Sequence, residues 1–166
     1  MWIFWKNKGR RVCVKHIKKA IKDGEIPKGA LREIRITPTR ECLDTSDNQA
    51  LSLMKTSFIE RSCLMNSCRT ASTLNIPCCE GVAFIIPEGG ATVEGGWIRH
   101  CWNKKNGYYF DVTREYAMSV PVKEMYYFMI EEHKSIEYEQ QLQSTGGIEF
   151  ISKAVKFSDI LNNYDG

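Results

Sequence analysis

The sequence predicts an α+β fold in which N-terminal helices pack on a small antiparallel sheet. Apolar residues recur at helical spacing between residues 10 and 23 and again from Ala50 to Leu74. The period changes beyond Glu80, where a short continuous apolar run and two aromatic, β-branched stretches follow. Those two stretches flank Asn106-Gly107, a strong local signal for a hairpin.

In chain order, Val14, Ile17 and Ile21 mark one face of a helix over residues 10–23, closed by Asp23-Gly24, and Lys15, Lys18, Lys19 and Lys22 take its solvated face. Leu31 to Thr37 alternates, with Leu31, Glu33, Arg35 and Thr37 opposing Ile34 and Ile36, as expected of a short strand or extended arm ended by Pro38. Ser46 or Asp47 is positioned to cap a helix through Ala50, Leu51, Met54, Phe58 and Ile59. The same pattern resumes from Ser62 through Leu64, Cys68, Ala71 and Leu74, as one helix or two. Gly81 to Ile86 reads as a buried strand between Glu80-Gly81 and Pro87-Glu88-Gly89-Gly90, followed by a glycine-rich loop to Gly96. Trp97–Asn103 and Tyr108–Thr113 form the hairpin around a loop of Lys104 to Gly107. Residues 121–132 read as a strand and 148–162 as a helix on the spacing of Ile148, Ile151 and Val155.

A chain of 166 residues suits one compact domain. It divides into a basic N-terminal extension and helix (1–45), a catalytic core (46–118) and a C-terminal strand and helix (119–166). Apolar content of 43% and charged content of 26% exclude a wholly disordered chain. The net charge of +3 arises mostly before Arg40, without the interleaved aromatics or strong basicity of a nucleic-acid footprint, so a nucleic-acid partner is disfavoured. No stretch approaches the roughly 18 apolar residues of a membrane span, and Met1 to Phe4-Trp5 is too short for a signal segment. Seven cysteines (13, 42, 63, 68, 78, 79 and 101) do not resemble a disulfide framework, so reduced thiols and a cytoplasmic location are expected.

The chemistry enters through the hairpin. A four-residue loop would pair Asn103 with Tyr108 and set His100 directly across from Asp111, with Cβ atoms about 4.5–5.5 Å apart. Sliding the register by two keeps both side chains on one face as diagonal neighbours. The carboxylate would accept one imidazole N–H and leave the other ring nitrogen to act as a base. The nucleophile for such a base is a thiolate, which a helix N-terminus favours. Cys63 meets that requirement, because it follows Ser62, a plausible N-cap, and opens the segment to Leu74. Cys68 would sit a turn deeper on the apolar face of Leu64 and Ala71.

The blocks Cys63-Leu-Met-Asn66-Ser67, Cys79-Glu80-Gly81-Val-Ala83 and His100-Cys-Trp102-Asn103 to Asp111-Val-Thr113 resemble those of papain-fold, transglutaminase-like proteins. More closely, they resemble a family of small bacterial and phage proteins with C-x-x-N-A, E-G-x-A and H-A-W…D-x-T blocks. The likeness spans roughly residues 60 to 115, and departs from it at Ser67, at Cys101 and in the loop from Pro87 to Gly96. It implies a papain- or transglutaminase-like fold with Cys63, His100 and Asp111 as the triad, Asn66 and Glu80 shaping the site, and Trp102 walling the pocket. It also implies the host cytoplasm as the location if the chain is phage-encoded.

The expected function is thiol-dependent acyl transfer on a protein, peptide or small amide, by a peptidase, amidase, deamidase or transglutaminase-like enzyme with no cofactor and no metal. The Cys63 backbone N–H and the Asn66 side chain are the candidate oxyanion donors. The alternatives are a non-catalytic phage or bacterial protein that inhibits or sequesters a host partner with the same fold, and a zinc module. For the latter, Cys63, Cys68, Cys78, Cys79, His100 and Cys101 offer ligands, but none in C-x2-C spacing.

Overall fold

A computed structural model describes residues 2–24, 32–87, 96–118 and 122–151. The helices are α1 (Trp2–Lys22), α2 (Thr39–Cys42), α3 (Thr45–Met54), α4 (Cys63–Leu74), α5 (Val112–Tyr116) and α6 (Ser135–Thr145). The strands are β1 (Arg32–Ile34), β2 (Cys78–Pro87), β3 (Gly96–Lys105), β4 (Tyr108–Phe110) and β5 (Val122–His133), in one antiparallel sheet of order β1-β5-β2-β3-β4. The architecture is thus α+β, with α1 and α4 packed on the sheet as expected.

The sheet curls until its edges meet. Just past β1, Ile36 bridges Tyr109 of β4, and the Thr37 N–H donates to the Tyr109 carbonyl at 2.7 Å. Strand alternation then separates two cores. Outside the curl, Val82, Phe84, Ile86 and Phe128 pack on Cys13, Ile17 and Ala20 of α1, whose lysines at 15, 18, 19 and 22 are exposed. On that same outer face Cys78 and Cys101 meet Cys68, Ala71 and Tyr138 of α4 and α6. Inside the curl lie Cys79, Ala83, Trp102, Met125 and Tyr127.

Gly81 makes this interior possible. A Cβ there would press on the Phe128 carbonyl oxygen and lie 2.5 Å from Cη2 of Trp102. At the same point the pairing of β2 with β5 shifts register, a bulge that re-aims the strand around the indole.

Several local expectations are corrected. The hairpin loop has two residues, not four: Asn106 (φ 51°) and Gly107 (φ 83°) are both left-handed, and Lys105 pairs with Tyr108. Positive φ at both central positions is the turn that matches strand twist. Asn103 therefore faces Phe110, the register slides by two, and β4 ends before Asp111. The run from Ala50 to Leu74, open as one helix or two, is two helices separated by a 3-10 turn at Lys55–Ser57 and by Arg61 in the left-handed region (φ 61°), and Phe58 and Ile59, expected to be helical, lie outside both. Asp44, not Ser46 or Asp47, caps α3, its carboxylate accepting the Asp47 N–H at 2.8 Å. Glu80 does not bound β2 but lies inside it.

At the N-terminus the helix starts at Trp2, well before residue 10. The strand over 121–132 is β5, and the short strand before Pro38 is β1 with the Ile36 bridge; Leu31 lies outside the described residues. Most of the glycine-rich loop, residues 88–95, is also outside them. The helix over 148–162 is not formed at residues 148–151, where Ile148, Phe150 and Ile151 pack on the outer-face cluster, and 152–162 are outside the described residues. The helix of this region is α6, where the Glu137 carboxylate accepts the Lys134 N–H at 2.6 Å and Gly146 (φ 72°) closes the last turn. Among the described residues no helix is long and apolar enough to cross a membrane.

Candidate active site

His100 stands on β3 opposite Gly81, pointing into the curl, and is 2% exposed. Its Nε2 lies 2.6 Å from Oδ2 of Asp111. Asp111 reaches it from the N-cap of α5 rather than from a strand, since its Oδ1 accepts the Arg114 N–H at 3.0 Å. The expected pairing of His100 with Asp111 is formed, but by a helix cap rather than across two strands. The register slide by two keeps Asp111 on the side of His100, and the cap fixes the carboxylate plane.

Burial of both groups opposes their charges, and their mutual attraction overcomes it. For His100, burial pulls the pKa down, while Asp111 and then Cys63 push it up, to about 10. For Asp111, burial pushes up, while the imidazolium, the Arg114 N–H and the Tyr127 hydroxyl hold it below the usual carboxylate value. Both shifts favour the charged forms, an imidazolium beside a carboxylate. With Nε2 committed to Asp111, Nδ1 is the ring nitrogen left over; it is buried, no group among the described residues stands in hydrogen-bond geometry to it, and Cys63 is the thiol that acts on the ring.

Cys63 is the first residue of α4 and the only one of the seven cysteines that is not buried. Its Sγ lies 3.9 Å from the carbonyl oxygen of Arg99, the residue before His100. Ser62 occupies the N-cap position, but its side chain makes no capping bond, so the first N–H groups of α4 lack the expected hydroxyl. Cys68 faces inward beside Leu64 and Ala71, and its thiol is pushed up by Cys78 and by burial. Burial likewise raises Cys42, Cys79 and Cys101. Cys78 is lowered, through the thiols of Cys101 and Cys68, but its sulfur is fully enclosed.

Asn66 shapes the site without lining it. Its Nδ2 donates to the Ile59 carbonyl (2.7 Å) and to Thr113 Oγ1 (3.1 Å), and its Oδ1 accepts the Ile59 N–H (3.0 Å). Both amide protons are used, so Asn66 is corrected as an oxyanion donor. Ser67 ties the same helix to β3, its hydroxyl donating to the Trp102 carbonyl at 2.9 Å, while Asn103 Nδ2 donates to the Ser67 carbonyl at 3.0 Å.

Glu80 is fully buried on the outer face, away from His100. It accepts from the Tyr138 hydroxyl and from the Ile151 N–H (2.7 Å), with Arg99 at 3.5 Å and His133 at 3.7 Å. Arg99 in turn stacks on Phe150. Trp102, expected to wall the pocket, is completely buried on the same face of β3 as His100, with ring centroids 6.2 Å apart.

Tyr127 was not singled out by the sequence. Its hydroxyl donates to Asp111 Oδ2 at 2.8 Å, the same oxygen that takes His100. Only its aromatic neighbours Tyr126 and Phe128 accompany it in the chain, and the signal that could have found it is strand alternation, which turns 127 inward and 126 and 128 outward. Comparison of the chain with protein-family models, with curated proteins and with solved structures returns no match.

Proposed function

We propose that this protein is a cysteine-dependent acyl-transfer enzyme, a hydrolase or acyltransferase on an amide, peptide or protein substrate, with Cys63 as nucleophile, His100 as acid and base, and Asp111 as its partner. One observation carries the reading. The single unburied thiol of seven opens a helix against the strand of a buried His100–Asp111 pair whose Nδ1 has no other partner among the described residues. The papain- and transglutaminase-like blocks noted in the sequence are consistent with this use of a curled α+β sheet, and that fold assignment belongs to the proposal.

In this mechanism the Cys63 thiolate adds to the carbonyl carbon. The imidazolium gives its Nδ1 proton to the leaving amine as the C–N bond breaks, and an acyl-enzyme remains. Water or a second amine then attacks, His100 takes its proton, and the thiolate leaves. Asp111 on Nε2 fixes the tautomer and stabilises the imidazolium throughout. Oxyanion stabilisation falls to backbone N–H groups at the start of α4, which have no partner within the helix.

The test is iodoacetamide labelling of the folded protein against pH, read cysteine by cysteine by mass spectrometry. Cys63 is expected to react far faster than the other six at neutral pH and to lose that advantage in His100→Ala. Equal, slow labelling indifferent to His100 would reject the enzyme and return the protein to a non-catalytic binding role.

A further inference from the structure

Resting on the acyl-transfer reading above, we propose that Tyr127 is a positioning residue of the site, acting on His100 through Asp111. Two donors converge on Oδ2 of Asp111, His100 Nε2 at 2.6 Å and the Tyr127 hydroxyl at 2.8 Å, while Arg114 N–H holds Oδ1 at 3.0 Å. The carboxylate side chain has no solvent exposure, so no water shares its charge. How strongly it attracts the imidazolium therefore depends on how much of that charge the phenol draws away. Burial and the neighbouring carboxylate keep Tyr127 protonated far above neutrality, so the hydroxyl remains a donor wherever the site would work.

Among the described residues the charged and titratable groups facing this arrangement are few. Cys63 comes from α4, Asp111 and Arg114 from the start of α5, and Tyr127 from β5; Met125 Sδ, 3.2 Å from the phenol oxygen, is neutral. Glu80 and His133 belong to the opposite face. Tyr127 also packs edge-on against Trp102 with ring centroids 5.4 Å apart. Loss of activity alone would not separate that packing from an electrostatic role. The sign of a titration does.

Removing the hydroxyl concentrates charge on Asp111 and should tighten its hold on the imidazolium proton. The experiment follows the ring carbon–proton resonances of labelled histidines by NMR against pH in wild type and Tyr127→Phe, with His100→Ala assigning the His100 signal. The His100 midpoint is expected to move to higher pH in Tyr127→Phe by on the order of half a unit to one unit. A fluorinated tyrosine at position 127 keeps the packing and donates more strongly, and should move the midpoint to lower pH. Superimposable midpoints in wild type and either variant overturn the role of Tyr127 while leaving the Cys63 reading standing. Cys63 labelling unchanged by His100→Ala overturns that underlying reading itself, and the two failures are therefore separately visible.

Discussion

Asn66 donates to Thr113 across 3.1 Å, and this one hydrogen bond ties the helix that begins at Cys63 to the helix that Asp111 caps. Asn66 stands three positions after Cys63, and Thr113 two positions after Asp111. The blocks that look like independent motifs in the chain are thus two ends of one clamp. Ser67 and Asn103 form a second clamp, from α4 to the strand of His100.

Asn66→Ala should be costly because it strands three groups at once: the Ile59 N–H, the Ile59 carbonyl and the Thr113 hydroxyl. A loss of about 1–3 kcal/mol is expected from urea unfolding. Thr113→Val, which removes one acceptor and keeps the shape, should cost less and slow Cys63 labelling more than it lowers stability. Equal stability of Asn66→Ala and wild type would contradict the clamp.

Gly81→Ala should destabilise more than any surface change, since the added methyl meets the Phe128 carbonyl and the indole of Trp102. A backbone oxygen cannot rotate away, so the sheet must shift, at a cost of about 3 kcal/mol or more. Denaturant midpoints measure it. The paired change Gly81→Ala with Trp102→Phe should recover part of the loss by clearing one of the two obstacles.

The His100–Asp111 pair sets a direction for stability against pH. His100 is raised from 6.5 to about 10 on folding, so its contribution is full below about 6.5 and is lost as pH rises through 10. Asp111 is depressed below 3.8, so its contribution is full above that value and is lost as pH falls through the lower folded one. Urea midpoints should therefore decline between pH 7 and 10 in wild type. They should decline less steeply in His100→Gln, and parallel curves would count against a charged pair.

Glu80→Gln keeps the side chain's shape and an acceptor for the Tyr138 hydroxyl and Ile151 N–H, but removes the charge facing Arg99 and His133. A loss of about 1.5–3 kcal/mol is expected, as for a hydrogen bond to a charged group. Hydrogen exchange at Ile151 should accelerate beyond what global stability explains. Unchanged exchange there would show that Glu80 does not hold this segment down.

Legibility in the sequence followed the range of the interaction. The helix stripe at Val14, Ile17 and Ile21, the apolar run of β2 and the Asn106-Gly107 turn rest on contacts within a few residues, so their positions could be read. The two-residue loop was missed because Lys104 and Lys105 carry no turn chemistry and simply extend the strand. Helix α6 was missed because Tyr138 alone of its side chains is buried, leaving a weak apolar stripe, while Ile148 and Ile151 have helical spacing but pack on the core outside any helix.

By itself the sequence determined the α+β class, the hairpin beneath His100 and the candidacy of Cys63, His100 and Asp111, since periodicity, turn residues and helix starts are written in neighbouring positions. Only the tertiary structure decided which groups share charge. It brought the edges of the sheet together at Ile36 and Tyr109, turned Tyr127 onto Asp111, spent the Asn66 amide on a clamp and set Glu80 on the far face. Those outcomes depend on strand order and on the curl around Trp102, which arise from packing between segments far apart in the chain.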